Sequence, residues 1–122
     1  MVGVIWIMQI VHYPAFKYIR NSDYHVFQEL HMRRISFIVI PAMLAEIVTG
    51  SIILYLKIHL CILFKISFVF LILIWISTGL LFSKIHNELL KGFKNDIGDK
   101  LVQLNWIRTV LWSLRLILLL SI

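Results

Sequence analysis

The sequence predicts an all-α fold, a four-span transmembrane helix bundle, from its composition and its long apolar runs. Hydrophobic residues make up 61% of the 122 positions and charged residues 15%, whereas a soluble domain has about 45–50% and 25%. The chain is short enough to be one domain, residues 1–122, with room for three or four spans. Three runs are long enough to cross a hydrocarbon core of about 30 Å, namely Ile35 to Leu56, Leu60 to Phe82 and Leu101 to Ile122.

A fourth span is predicted over Met1 to Ile19, and it is the least regular of the four. Its unbroken apolar stretch ends at Val11, and about 11 helical residues extend only about 17 Å. To cross, the helix must continue through Pro14 toward Arg20. This predicts a truncated first span that lacks part of its outer end. The segment has no basic start and no small-residue cleavage site, so it does not resemble a cleaved signal peptide.

The connecting segments carry helix signals of their own. Asn21-Ser22-Asp23 is a helix-start pattern with Asp23 as the cap, which predicts that the second helix begins before the membrane. Pro41 removes one helical hydrogen bond in the middle of that span and predicts a kink. Between Lys84 and Lys100, apolar and polar residues alternate at near-helical spacing. This pattern predicts a short interfacial helix between spans 3 and 4, with an extension of span 3 as the alternative.

The basic residues are distributed unevenly between the loops. Loops 1 and 3 carry four each, whereas the connection between spans 2 and 3 carries only Lys57 and Lys65. Because cytoplasmic loops hold an excess of Lys and Arg, the bias predicts a multi-pass inner-membrane protein with loops 1 and 3 in the cytoplasm and both termini outside. The net charge of +6 then reflects contact with the lipid bilayer, and no nucleic acid partner is expected.

The full charges of Glu46 and Arg108 lie inside the apolar spans. A charge at membrane depth is costly, so it normally faces the bundle interior and marks a functional site or an ion pair. We expect Glu46 to pair with Arg108, with Arg115 as the alternative partner. Helical spacing and depth place further polar and aromatic residues near them, which predicts an internal ligand-binding pocket in the inner half of the bundle, lined by Gln9, His12, Glu46, Trp75, Asn105, Arg108, Thr109 and Trp112.

The histidines allow a catalytic or a metal site. His12 is the one histidine clearly inside a span, and imidazole has a pKa suited to a general base, so it is the candidate catalytic residue. His31 and His86 lie at the cytoplasmic boundary, where they could join His12 in a metal or haem site. His59 is expected at the opposite interface. The single cysteine, Cys61, excludes an intrachain disulfide.

Three stretches resemble a group of small four-helix bacterial integral membrane proteins with no established activity. The first is Gly3 to Phe16, which reads GVIWIMQIVHYPAF, the second combines His31 to Arg34 with Pro41, Met43 and Glu46, and the third is NWIRT at Asn105 to Thr109 with Trp112 and Arg115. The group is loosely similar in size and layout to the anthrone-oxygenase-like membrane proteins. The resemblance implies the four-helix fold and draws attention to Gln9, His12, Glu46, Asn105 and Arg108, but it supplies no reaction and no cofactor.

Three functions are compatible with these patterns. The first is a membrane protein that binds, or as an enzyme oxidises, a lipophilic small molecule in the internal pocket. The second is a structural membrane subunit whose buried ion pair only fixes helix packing, either in a homo-oligomer or with a partner membrane subunit. The third is a haem- or metal-binding membrane protein. The sequence leaves the choice between them, and the identity of any cofactor, open.

Overall fold

The computed structural model describes residues 1–57 and 61–122, and within them the chain forms helices and turns with no β-strand. We number four helices, α1 to α4. Helix α1 begins as Val2–Ile7, passes through a π-helical turn, Met8–His12, and ends in Tyr13–Ala15 and a 3-10 turn, Phe16–Tyr18. Helix α2 is Asn21–Tyr55. Helix α3 joins Ile62–Ser77, a second π-helical turn, Thr78–Phe82, and Ser83–Leu90, and α4 is Asn95–Leu120.

Two of the described helices, α2 and α3, are long and apolar enough to cross a membrane. Large apolar side chains point away from the bundle on both, among them Phe37 and Ile38 on α2 and Val69 on α3. In water such a surface would be an aggregation hazard, whereas lipid-facing positions require it. The all-helical fold is confirmed for the described residues, and a membrane crossing by each of the four helices stays a prediction.

Helix α2 begins close to its predicted start but is capped differently. The helix starts at Asn21, and Arg20 before it has extended backbone angles. Asp23 lies in the first turn and is not the cap that the sequence pattern predicts. A carboxylate in the first turn still stabilises the helix, because it interacts with the positive end of the helix dipole. The helix continues through Pro41 without a break.

The connection between α3 and α4 corrects one sequence prediction. No separate interfacial helix forms between Lys84 and Lys100, because Ser83–Leu90 continues α3 and α4 already begins at Asn95. The chain leaves the helical conformation between them at Gly92, whose φ of +139° lies in a region that glycine alone adopts easily. Gly98, inside α4, packs closely against Phe93, since a Cβ there would lie 2.7 Å from its ring.

The helices enclose two apolar cores, and one close helix approach brings α2 to α3. A Cβ on Gly50 of α2 would lie 2.9 Å from the Phe68 ring of α3, so this glycine allows the two helices to pack closely. The core toward the α1–α2 and α3–α4 connections contains Met8, Tyr13, Phe16, Tyr24, Phe82, Ile85, Leu89 and Leu101. The core toward the chain termini contains Ile5, Met43, Ile74 and Trp112.

Candidate functional site

Three histidines from three helices meet beside the first of these cores. The Nε2 atom of His12 on α1 lies 2.8 Å from Nδ1 of His31 on α2, a hydrogen-bond distance. The ring of His86 on α3 lies 5.9 Å from the His31 ring, centroid to centroid. The π-helical turn that ends at His12 precedes Pro14, which has no backbone N–H to continue a regular helix. Sequence analysis predicts that these three residues approach each other, and the structure brings them together.

Two further polar residues extend this cluster, and the sequence analysis missed both. Gln28 is fully buried, and its Nε2 atom lies 3.0 Å from Nδ1 of His86. The Tyr24 hydroxyl donates to Oε1 of Gln28 at 3.4 Å. Tyr24, Gln28 and His31 are four and three residues apart on α2, so they share one helix face. The spacing could have been found in the sequence. However, these residues precede the apolar span and, apart from the histidines, polar side chains were singled out only where they interrupt an apolar span.

An apolar groove opens beside His12 and His31, between α1 and α2. Its cavity has a volume of about 350 Å³, and it is lined by Ile7, Met8, His12, Phe27, Leu30, His31, Arg34, Ile35 and Ile38. The Nε2 atom of His31 is buried and has no hydrogen-bond partner in the described part of the chain. The groove therefore combines apolar walls with two imidazoles, and one nitrogen of His31 is buried without a partner.

The geometry of the three histidines favours hydrogen bonding over metal binding. Two imidazole nitrogens on one tetrahedral zinc ion each lie about 2.0–2.1 Å from the metal, which separates them by more than the 2.8 Å between His12 and His31. Across residues 1–57 and 61–122, no group of three metal-ligating side chains is arranged to hold an ion. In this structure His12 and His31 are hydrogen-bonded to each other, and His86 is paired with Gln28.

Burial keeps two of these imidazoles uncharged at neutral pH. His31 lies four residues before Ile35 and His86 four residues after Phe82, so both are outside the apolar spans. Burial, followed by the neighbouring His12 and His86, lowers the pKa of His31 to about 3. Burial, followed by the charge of Arg108, lowers the pKa of His86 to about 4. At pH 7 both rings are neutral and can accept as well as donate hydrogen bonds.

Stability is expected to fall as the pH drops below about 6.5. Unfolding returns His31 and His86 to an ordinary pKa near 6.5, so between pH 6.5 and 4 the unfolded chain binds protons that the folded chain does not. The free energy of unfolding should therefore decrease by up to about 1.4 kcal/mol per pH unit for each imidazole. Denaturant unfolding in detergent from pH 7.5 to 4.5 measures this slope. A slope that is the same in His31→Phe as in the unmodified protein would contradict the assignment.

Several of the predicted ligand-binding residues hold one another inside the bundle. Nδ2 of Asn105 donates to Oε1 of Gln9 at 2.8 Å, and Nε2 of Gln9 donates to the Val102 carbonyl at 3.2 Å. The Thr109 hydroxyl donates to the Asn105 carbonyl on its own helix. All three side chains are buried. These contacts join α1 to α4.

The carboxylate of Glu46 pairs with Arg115, so the expected ion pair with Arg108 is wrong. Oε2 of Glu46 lies 3.1 Å from Nη1 of Arg115 and also accepts a hydrogen bond from the Trp112 indole at 3.1 Å. Trp112 and Arg115 are three residues apart on α4, so one carboxylate reaches both. Arg108 instead lies against the face of the Trp112 ring, at 5.2 Å. The indole thus occupies the position between Arg108 and the carboxylate.

Arg108 is a buried cation with aromatic neighbours. Its side chain is 5% exposed, and its guanidinium carbon lies 4.2 Å from the centre of the Phe82 ring. The Tyr13 ring lies beside the same Phe82 ring, with the two ring centroids 6.3 Å apart. The Nε atom of Arg108 has no hydrogen-bond partner in residues 1–57 and 61–122, and neither does the indole nitrogen of the half-buried Trp75.

Comparison with known proteins adds no relative. No family model matches the chain, and no curated protein or solved structure matches it. The resemblance to small four-helix membrane proteins stays a prediction, and the functional conclusion rests on the geometry of the side chains described above.

Proposed function

We propose that this chain is a small four-span inner-membrane protein that binds a lipophilic small molecule in the groove between α1 and α2. The observation that carries the proposal is the apolar cavity of about 350 Å³ with a buried, unpartnered imidazole nitrogen of His31 in its wall. Ligand sites typically combine apolar walls with a few fixed polar groups. In this arrangement a lipophilic ring or chain lies along Ile35 and Ile38, and its polar end hydrogen-bonds to His31.

The membrane placement supports the same proposal. The lipid-facing side of the bundle carries the groove, so a ligand dissolved in the bilayer can enter sideways without crossing water. Arg34 lies at the groove, and the excess of basic residues near it supports a cytoplasmic headgroup location for this end. His12, half-buried and hydrogen-bonded to His31, is the candidate proton acceptor if the bound molecule reacts. The cavity itself supports binding and does not select a reaction.

Ligand binding is tested with 2-naphthol and naphthalene, which differ by one hydroxyl group. We expect the purified protein in lipid nanodiscs to bind 2-naphthol more tightly than naphthalene, because the hydroxyl reaches His31. His31→Phe preserves the ring and removes both nitrogens, so 2-naphthol affinity should fall by about tenfold, the value of one buried hydrogen bond. Fluorescence titration of 2-naphthol measures the affinity.

The matched control is His25→Phe, which makes the same change at an exposed position on the same helix. It should leave 2-naphthol affinity unchanged. Equal affinity for 2-naphthol and naphthalene in all three proteins would show that the groove is an ordinary lipid-facing surface, and the proposal would fail.

A structural membrane subunit is the second candidate. The observation that favours it is the number of interior polar groups that satisfy one another, since Gln9 pairs with Asn105 and Glu46 pairs with both Trp112 and Arg115. Such contacts fix helix register without a ligand. Under this function the protein purifies without a bound small molecule, and size measurements in nanodiscs show a homo-oligomer or a partner subunit.

A further inference from the structure

The interior of the bundle contains one more positive charge than negative charge. The chain has six acidic residues, and all lie within the described residues. Of these, Glu46 alone is inside an apolar span, and it is 3.1 Å from Arg115. No other salt bridge is present in residues 1–57 and 61–122. Arg108 is therefore a buried cation for which the chain supplies no counterion.

The neighbours of Arg108 offset only part of its burial. Phe82 and Trp112 present ring faces at 4.2 and 5.2 Å from the guanidinium carbon, and cation–π contacts of this kind are favourable. They cover the faces of the planar group. The rings do not satisfy the N–H groups at the edge of the guanidinium. Among these, Nε is a buried donor without a partner in the described residues. A guanidinium carries five such donors in a geometry that suits a carboxylate.

The remaining titratable groups at this position are neutral. Tyr13 from α1 and His86 from α3 lie near this cation, since their rings are 6.3 and 6.0 Å from the Phe82 ring that Arg108 contacts. A neutral phenol can donate its O–H to an anion. Three helices thus direct a cation, a phenol and an imidazole to one place, and none of them supplies negative charge.

We propose that Arg108, with Tyr13 beside it, binds a monovalent anionic group of the carboxylate type in the bundle interior. This inference concerns a position apart from the groove and goes beyond the proposed function. The anion has two sources, a free small anion or the head group of a lipophilic acid. Both present the same chemistry to the guanidinium, and competition between them separates the two.

Iodide is the probe, because it quenches tryptophan fluorescence and Trp112 lies against Arg108. A reporter protein with Trp6→Phe, Trp75→Phe and Trp106→Phe retains Trp112 as its only tryptophan. Trp112 is 1% exposed, so random collisions in solution quench it poorly. Bound iodide should produce saturable quenching. The same reporter with Arg108→Gln should lose iodide affinity by about tenfold or more, the usual effect of removing a charged hydrogen-bond donor.

Two controls keep the result specific. Arg33→Gln removes an exposed cation, and it should leave the iodide titration unchanged. Arg108→Lys keeps the charge and should retain saturable quenching at lower affinity, even if Arg108→Gln folds poorly. In the unmodified protein, potassium iodide should raise the unfolding temperature in a saturable way, and potassium sulfate at equal ionic strength should not.

Competition identifies the source of the anion. Displacement of iodide by decanoate at much lower concentration than by acetate would assign a lipophilic acid, and equal displacement would assign a free small anion. Either result supports the anion site. Quenching that never saturates, quenching that is unaffected by Arg108→Gln, or displacement by decanol as effective as by decanoate would overturn it. If the reporter protein with Arg108 intact shows no saturable iodide quenching while the unmodified protein still binds 2-naphthol as expected, this inference alone is overturned. If iodide quenching saturates but the 2-naphthol test fails, only the groove proposal is overturned.

Discussion

Replacing Trp112 with alanine is expected to lower the free energy of unfolding by about 3–5 kcal/mol, the range for removing a buried aromatic side chain. Trp112 is 1% exposed and packs in the core with Ile5, Met43 and Ile74. Its indole N–H also donates to Glu46. The substitution therefore opens a cavity, removes a hydrogen bond and uncovers one face of Arg108. Reversible unfolding in mixed detergent micelles measures the change.

Two variants calibrate this result. Trp112→Phe retains most of the ring and loses the N–H, so it should cost about 1–2 kcal/mol, close to the value of one hydrogen bond to a charged group with some lost volume. Trp106→Ala removes a tryptophan that is 44% exposed, and its effect should be much smaller. If Trp106→Ala and Trp112→Ala destabilise the protein equally, Trp112 is not the centre of this core.

Glu46→Gln is expected to destabilise the protein by about 2 kcal/mol. Breaking a fully buried ion pair costs about 3–5 kcal/mol, and we expect less here because the Arg115 and Glu46 side chains are 13% and 22% exposed. The neutral amide keeps the shape of the carboxylate, so the loss reports on charge. It leaves Arg115 and Arg108 as two cations inside the bundle with no carboxylate paired to them in the described residues.

A double-mutant cycle distinguishes the observed pair from the one that the sequence suggests. Glu46→Gln combined with Arg115→Gln should cost less than the sum of the single changes, since the second removes the charge that the first leaves unpaired. Glu46→Gln combined with Arg108→Gln should be close to additive. Strong coupling in the Arg108 pair and none in the Arg115 pair would contradict the structure. Glu29→Gln, at an exposed position, provides the control.

The sequence predicted which side chains face inward better than it predicted their partners. Helical spacing placed Asn105, Arg108, Thr109 and Trp112 on one stripe of α4, and the structure buries all four. Periodicity determines such faces because side chains three and four positions apart lie together. The partner of Glu46 could not be predicted in this way, since it depends on the vertical offset between α2 and α4 and on the position of the Trp112 ring.

For the candidate site, too, the sequence predicted location better than contacts. The depth of the residues and the charge pattern predicted that His12, His31 and His86 lie at one end of the bundle, and the structure places them next to one another. The internal pocket was expected because several polar residues lie at one level. Whether such residues surround a cavity or hydrogen-bond to each other depends on distances of a few ångströms, as the 2.8 Å contact between Gln9 and Asn105 shows. The groove between α1 and α2 has few polar residues, so composition gave no signal for it.

The two π-helical turns change the rotational phase of the side chains along α1 and α3. A π turn holds one residue more than an α turn, and each extra residue turns the following side chains by about 100° around the axis. Met8–His12 and Thr78–Phe82 therefore separate each helix into two halves with different rotational phase. Phe82, at the end of the second turn, is buried, and His86, four residues later, lies beside His31 and Gln28. The extra residue in α3 therefore belongs to the geometry that carries both the ring against Arg108 and the imidazole beside His31.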